Sequence, residues 1–208
     1  MCEDVFTIGH STHPMDRFIA LLKQHGITAL CDIRSRPYSR INPQFNRENL
    51  KMSLGENGIV YVFLGKELGA QSEDESCYLH GKVQYDCLAQ TDLFRQGLYR
   101  VREGMKGHRL TLMCAEKDPL ECHRAILVAR HLEVLQTTVQ HILEDGSIES
   151  HRKALNRLLR QLKLPDQDLF RSREDMIGAA YRIQGERIAY EESEASSEGS
   201  QPIRSIHG

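Results

Sequence analysis

Five short apolar runs punctuate the chain, and between them lie stretches that read as helices. The runs are DVFTIGH (4–10), ITALCDI (27–33), IVYVFLG (59–65), RLTLMC (109–114) and TTVQHIL (137–143). Each has the length of a strand. None alternates apolar with polar residues as a half-exposed strand does. Continuous apolar strands separated by helices predict an α/β fold: a mostly parallel sheet of about five strands, flanked by helices on both faces.

The intervening segments support this order. In STHPMDRFIALLKQHG, Pro14 suits a first helical position, Phe18, Leu21, Leu22 and His25 share one helical face, and Gly26 suits the stop. RENLKMSLGENG (47–58) reads as a short helix ending at glycine. A long loop is followed by a helix over roughly Gln84 to Met105. DPLECHRAILVARHLEVL (118–135) reads as one helix with Asp118 as N-cap and Pro119 at its first position. These elements define a domain over 1–143. A helical extension over 144–190 follows, opening with the basic amphipathic stretch 147–164 that stops at Pro165. Its second segment reads either as one broken helix or as a helix and a hairpin around Gly185. The serine-rich, acidic residues 191–208 are expected to be a disordered tail.

Bulk properties exclude some partners. The formal net charge of −2 gives no electrostatic reason to expect nucleic-acid or membrane binding by the whole surface, so any basic site has to be local. No run approaches the ~18 apolar residues that a membrane helix needs. The first residues, MCEDVFTIGHS, lack the basic-then-apolar pattern of a secretory signal, and a cytoplasmic protein is expected. In that compartment the six cysteines, Cys2, Cys31, Cys77, Cys87, Cys114 and Cys122, are expected to be reduced.

In a parallel α/β sheet, functional residues gather beyond the carboxyl ends of the strands. Four segments fall there. After the first strand come Gly9 and His10; a histidine at a strand–helix junction suits acid–base work, ligation or capping, and glycine permits close backbone approach. After the second comes CDIRSRPYSRINPQFN, in which Asp32 is followed by Arg34, Arg36 and Arg40 in a loop stiffened by Pro37 and Pro43. Three guanidinium forks in one loop make a local anion site. Tyr38, Phe45 and the amides of Asn42, Gln44 and Asn46 could hold a base or a sugar. After the third comes LGKELGA, which is neither a Walker loop nor G-x-G-x-x-G. After the fourth comes LMCAEKDPLECHRAIL, with Cys114, Glu116, Cys122, His123 and Arg124. Its cysteine spacing fits neither the common C-x-x-C zinc patterns nor a Cys-x5-Arg phosphatase loop.

Together, TIGHST, CDIRSRPYSRINPQFN, YVFLGKELGA and LMCAEKDPLECHR resemble, in order and approximate spacing, the family of uncharacterised proteins called DUF488, over residues 4–143. The usual second glycine after Leu64-Gly65 is replaced here by Lys66. The resemblance implies an α/β fold and a site built from these blocks, carried by His10, Asp32, Arg34, Arg36, Arg40, Cys114, Glu116, Cys122, His123 and Arg124. It implies no reaction.

These residues lead to an enzyme acting on a phosphate-bearing substrate, hydrolytic or glycosyl-cleaving, as the first expectation. His10, Asp32, Cys114 and Glu116 are the candidate catalytic groups. Arg34, Arg36, Arg40, His123 and Arg124 are the candidate anion-binding groups. No cofactor motif is evident. Two alternatives stand beside it. One is a non-catalytic nucleic-acid-binding module using the arginine loop and the basic helix. The other is a thiol or metal protein using Cys114, Cys122 and His123, with His10 as a further ligand.

Overall fold

The computed structural model describes residues 4–165 and 171–191. The expected disordered tail lies, apart from Glu191, outside the described residues. In chain order the elements are β1 (Asp4–Gly9), α1 (Met15–Gln24), β2 (Ala29–Asp32), α2 (Arg47–Glu56), β3 (Val60–Phe63), α3 (Gly65–Leu68), β4 (Tyr78–Leu79), β5 (Lys82–Val83), α4 (Tyr85–Leu88) and α5 (Asp92–Met105). They continue with β6 (Leu110–Cys114), a π-helical stretch Arg124–Ala129 running into α6 (Arg130–Val134), β7 (Thr138–Ile142), β8 (Ile148–Ser150), α7 (His151–Gln161) and α8 (Arg173–Ile188). All five apolar runs are strands.

Six strands form the main sheet in the order β3-β2-β6-β1-β7-β8. The first five are mutually parallel, and β8 pairs antiparallel with β7 at the edge. This sixth strand comes from a segment that the sequence reads as the start of a helix. The turn at Gly146 folds Ile148–Ser150 back along β7 before α7 begins, and Ser150 caps α7 by accepting from the Lys153 N–H. β4 and β5 form a separate small hairpin.

Side chains alternate across the strands and divide the core in two. Phe6, Ile8, Leu30 and Met113 face α1 and α2. Val5, Cys31, Leu110, Leu112 and Cys114 face the opposite layer, where α5, the π stretch, α6, α7 and α8 share one core. The segment Arg173–Ile188 is therefore a single helix with no hairpin at Gly185, opened by a capping box of Ser172 and Asp175. α7 packs its apolar face onto the sheet through Leu155, Leu158 and Leu159, and α8 lies against α7 and the π stretch, adding Ala180 and Tyr181 to the same core.

Two expected helices are broken. The one over Gln84–Met105 splits into α4 and α5, because Thr91 takes an extended conformation and caps α5 by accepting from the Phe94 N–H. The one from Asp118 breaks at Cys122, whose φ of −143° and ψ of 142° are those of a strand. Asp118 does cap, but only a 3-10 turn, Pro119–Glu121. The cysteines also depart from expectation: Cys77 and Cys87 form a disulfide, Cα to Cα 5.3 Å, across the β4–β5 hairpin, where the Gln84 N–H donates to the Cys77 carbonyl. Cys31, Cys114 and Cys122 are free and buried. No described helix is long and apolar enough to cross a membrane.

Connections from β1 and β2 run toward the β3 edge, whereas that from β6 runs toward β7. The carboxyl ends of β2, β6 and β1 therefore border the crevice where the winding reverses, the place in such sheets for a ligand.

A buried polar relay ties the extension to the sheet. Thr7 Oγ1 lies 2.7 Å from His141 Nδ1, His141 Nε2 lies 3.0 Å from His151 Nδ1, and His151 Nε2 lies 2.7 Å from the Tyr181 hydroxyl. Burial holds His151 at a pKa of about 4. Burial also holds His141 well below the usual range, reinforced by His151 and the charges of Arg124 and Arg157. Both histidines thus fold in the neutral form, while the unfolded chain takes up their protons near pH 6.5. Their contribution to stability should be complete above pH 6.5 and decline as the pH falls toward 4, by on the order of 3 kcal/mol from His151 alone. Urea unfolding from pH 7.5 to 4.5 checks this. A His151→Phe protein that loses as much stability over the same range would overturn the assignment.

Candidate functional site

At the end of β2, Asp32 is fully buried and engaged on every side. Arg34 Nε donates to Oδ1 at 2.9 Å and Nη2 to Oδ2 at 2.7 Å. The Arg34 backbone N–H also donates to Oδ1, and the Tyr61 hydroxyl donates to Oδ2 at 3.0 Å. Arg34 spends its remaining donors inside the protein. Nη2 reaches the Phe45 carbonyl at 2.8 Å, and Nη1 reaches His10 Nε2 at 3.2 Å. His10 Nδ1 donates to the Ser11 carbonyl, which leaves Nε2 as the acceptor and fixes the neutral tautomer. Burial, with help from Arg34, lowers His10 to about 4. Its ring stacks on Phe45 with centroids 4.2 Å apart. His10, Asp32 and Arg34 thus form one closed buried network.

Arg124 is also fully buried. Its Nη1 donates to the Glu116 carbonyl at 2.6 Å and its Nη2 to the Lys117 carbonyl at 3.0 Å, pinning the loop after β6. Its Nε has no partner, and it makes no ion pair with a carboxylate among the described residues. Gly9 makes this loop position attainable: a Cβ there would stand 1.8 Å from the Glu116 carbonyl oxygen.

The reactive groups collect beyond β6. Cys114 ends the strand, and the extended conformation of Cys122 turns its sulfur and the His123 ring toward it. His123 Nδ1 lies 3.7 Å from Cys114 Sγ and 3.8 Å from Cys122 Sγ. His123 Nε2 donates to the Ile33 carbonyl at 3.1 Å, so Nδ1 is the nitrogen facing both sulfurs. The Arg124 backbone N–H donates to Cys122 Sγ at 3.4 Å. A one-helix reading of 118–135 would send Cys122 and His123 to different sides. The extended residue followed by the π turn, closed by the Arg130 N–H donating to the Ala125 carbonyl, brings them together.

The two thiols divide in character. Burial pushes Cys122 up, but the hydrogen bond from Cys114 and the positive charges of Arg124 and His123 outweigh it and hold Cys122 well below the usual thiol range. Cys114 moves the other way, held protonated by its bond to Cys122 and by burial. Burial lowers His123, but the neighbouring Cys122 raises it overall. Glu116 keeps part of its surface exposed, yet its carboxyl sits against the two thiols and is raised by burial and by the negative charge of Cys122.

Cys114, Cys122, His123 and Glu116 line a lobe of about 300 Å³. It shares Ser35, Arg36, Gln71 and Tyr190 with a larger trough of about 710 Å³. Arg36 and Lys66 line that trough and form no ion pair among the described residues, whereas Glu67 is held by Arg100. Glu73, Asp74, Tyr78 and Tyr190 complete its walls. Arg40 and Tyr38 stand exposed away from both lobes, and Phe45 belongs to the core.

Sequence reasoning therefore grouped residues that the fold separates. Cys114, Glu116, His123 and Arg36 meet at the pocket. Arg34 touches its lining, but its donors are turned to Asp32, Phe45 and His10. His10, Asp32 and Arg124 lie behind the pocket. Lys66, in the segment just past the third strand but not among the candidate site residues, and Tyr190 join the wall. Arg36, in the arginine loop, and Lys66, just past β3, are trough residues that the sequence marks.

A family model described as Domain of unknown function DUF488 matches residues 14–131. No curated protein and no solved structure matches the chain. The matched span includes Asp32, the arginine loop and the Cys114–Arg124 segment, but not β1 and His10.

The buried Asp32–Arg34 pair generates a test. Asp32→Asn leaves a buried guanidinium without its counter-charge and should cost about 3–5 kcal/mol in urea unfolding. Arg36→Ala, on the trough wall, should change stability by less than about 0.5 kcal/mol. Equal losses in the two variants would sink the division between framework and pocket arginines.

Proposed function

The chain belongs to the DUF488 family, a domain of unknown function, and on that premise we propose that it is an enzyme that hydrolyses a phosphate-bearing small molecule, a nucleotide or a sugar phosphate. The observation that carries this reading is the continuity of the trough with the thiol–histidine lobe. Arg36 and Lys66 offer the unpaired positive charge that an anion needs, and guanidinium forks bind phosphate oxygens two at a time. Glu73, which also lines the trough, can accept from a hydroxyl or amino group, and Tyr78 and Tyr190 can supply flat faces for a ring. A volume near 710 Å³ suits a ligand of nucleotide size.

The bond to be cleaved would lie in the smaller lobe. Glu116 is the proton acceptor there: it reaches the pocket, and its raised carboxyl is a better base than an exposed one. The second expectation, a nucleic-acid module built on the basic helix, gains no comparable support. In α7, Arg157 is occupied by Asp118 and Glu149, and the apolar face is spent on the core.

Binding and turnover test the reading in turn. Nucleoside monophosphates and sugar phosphates titrated by calorimetry should include ligands with Kd of millimolar or below, and Arg36→Ala should weaken them by at least 10-fold. Against a hydrolysed member of the panel, Glu116→Gln should lower kcat by about 100-fold or more with KM little changed. If no member of the panel binds, or Arg36→Ala binds as the parent does, the reading fails.

A further inference from the structure

We infer that Cys114, Cys122 and His123 form a three-ligand site for a soft divalent metal, zinc or iron(II), whose fourth position opens into the smaller lobe. The donor atoms, two Sγ and one Nδ1, all lie within 4.8 Å of one another, and all three residues are buried. The sulfur–nitrogen separations of 3.7 and 3.8 Å are close to what a tetrahedral centre requires. Zinc–sulfur bonds of about 2.3 Å and a zinc–nitrogen bond of about 2.05 Å place S and N roughly 3.6 Å apart. Little movement would be needed to seat an ion.

The surroundings are those of a ligand set rather than of packed thiols. The second nitrogen of His123 donates to the Ile33 carbonyl, the outer contact that fixes the tautomer and aims Nδ1 inward. The Arg124 backbone N–H donates to Cys122 Sγ, as thiolates receive support in metal sites. The Arg124 guanidinium is a fully buried cation with no carboxylate partner among the described residues, and anionic sulfur beside it supplies the compensating charge. The local backbone is arranged to the same end. An extended Cys122 and a π turn interrupt what the sequence would otherwise make a helix, and the interruption is what assembles the three donors.

Two thiolates and an imidazole favour zinc or iron(II) over magnesium or calcium, which take oxygen ligands. Three protein ligands with a pocket at the fourth position characterise catalytic rather than structural zinc. His10 is not in the set, because its free nitrogen is held by Arg34. The role of the ion rests on the hydrolytic reading above. When bound, the ion would supply Lewis acidity at its open position, on the lobe that Glu116 also lines. Binding of the ion does not rest on that reading.

The test uses the full chain, purified untagged without chelator, with no substrate present. Elemental analysis should find about one zinc or iron per chain. After metal removal, Co(II) titration should give a tetrahedral visible spectrum and a sulfur-to-cobalt charge-transfer band sized for two thiolates, saturating at one equivalent and displaced by Zn(II). Cys114→Ser and Cys122→Ser should each halve the band and weaken Co(II) by at least 100-fold, while Cys31→Ser should leave both unchanged. The parent spectrum decides the matter if the serine variants do not fold. A folded parent protein that gives no charge-transfer band, a band in Cys114→Ser or Cys122→Ser as large as the parent's, or a Cys114–Cys122 disulfide in the native protein would each overturn the site. Phosphate-ligand binding that survives such a failure leaves the substrate reading standing. A metal bound at full occupancy to a protein that binds no phosphate compound refutes the substrate reading instead.

Discussion

The buried ion pair of Asp32 and Arg34 is the constraint around which the carboxyl edge of the sheet is arranged. Two charges withdrawn from water are tolerable only if nearly every donor and acceptor is met. Here Asp32 takes both forks of the guanidinium, a backbone N–H and the Tyr61 hydroxyl, and Arg34 completes its set with the Phe45 carbonyl and His10. That one pair joins the loop after β2 to the turn after β1, to β3 and to the segment that leads into α2. It also sets the lowered pKa of His10 in its context: a histidine stacked on Phe45 and facing a guanidinium cannot accept a proton without losing its place.

With that edge held, the loop after β6 can be drawn tightly over it. Arg124 fastens the Glu116 and Lys117 carbonyls, and Gly9 leaves the space they need. The same loop then breaks at Cys122 and resumes as a π turn. A π turn gains one residue over an α turn and is less well packed, so a chain keeps one where the displaced side chains serve a purpose. The displaced side chains here are His123 and Arg124. One faces two sulfurs at a pocket floor, and the other lies behind them as a cation.

Much of this was legible without coordinates. The five apolar runs, their order and the parallel sheet follow from hydrophobic patterning. The rule for such sheets points to His10, Asp32–Arg40 and Cys114–Arg124 as candidates; the fold brings Arg36, Cys114, Glu116, Cys122 and His123 to one pocket and leaves His10, Asp32 and Arg124 behind it. The sixth strand was not legible, because Ile148–Ser150 is three residues long and continuous with a strong helical pattern. Nor was the break at Cys122, since Asp118 and Pro119 present an unambiguous helix start and nothing local announces its interruption.

The arginines mark the boundary between the two kinds of knowledge. Local sequence placed Arg34, Arg36 and Arg40 in one loop after a strand, and hydrophobic periodicity by itself determined the layered frame that carries them. Only the tertiary structure decided that Arg34 is sealed inside by Asp32, that Arg36 lines the trough and that Arg40 is exposed and lines neither lobe. Periodicity is a local property, repeated every two or four residues and readable from neighbours. The use of a charge depends on partners such as His10 and Phe45 for Arg34, or Ile33 for His123, which lie 24, 11 and 90 residues away along the chain.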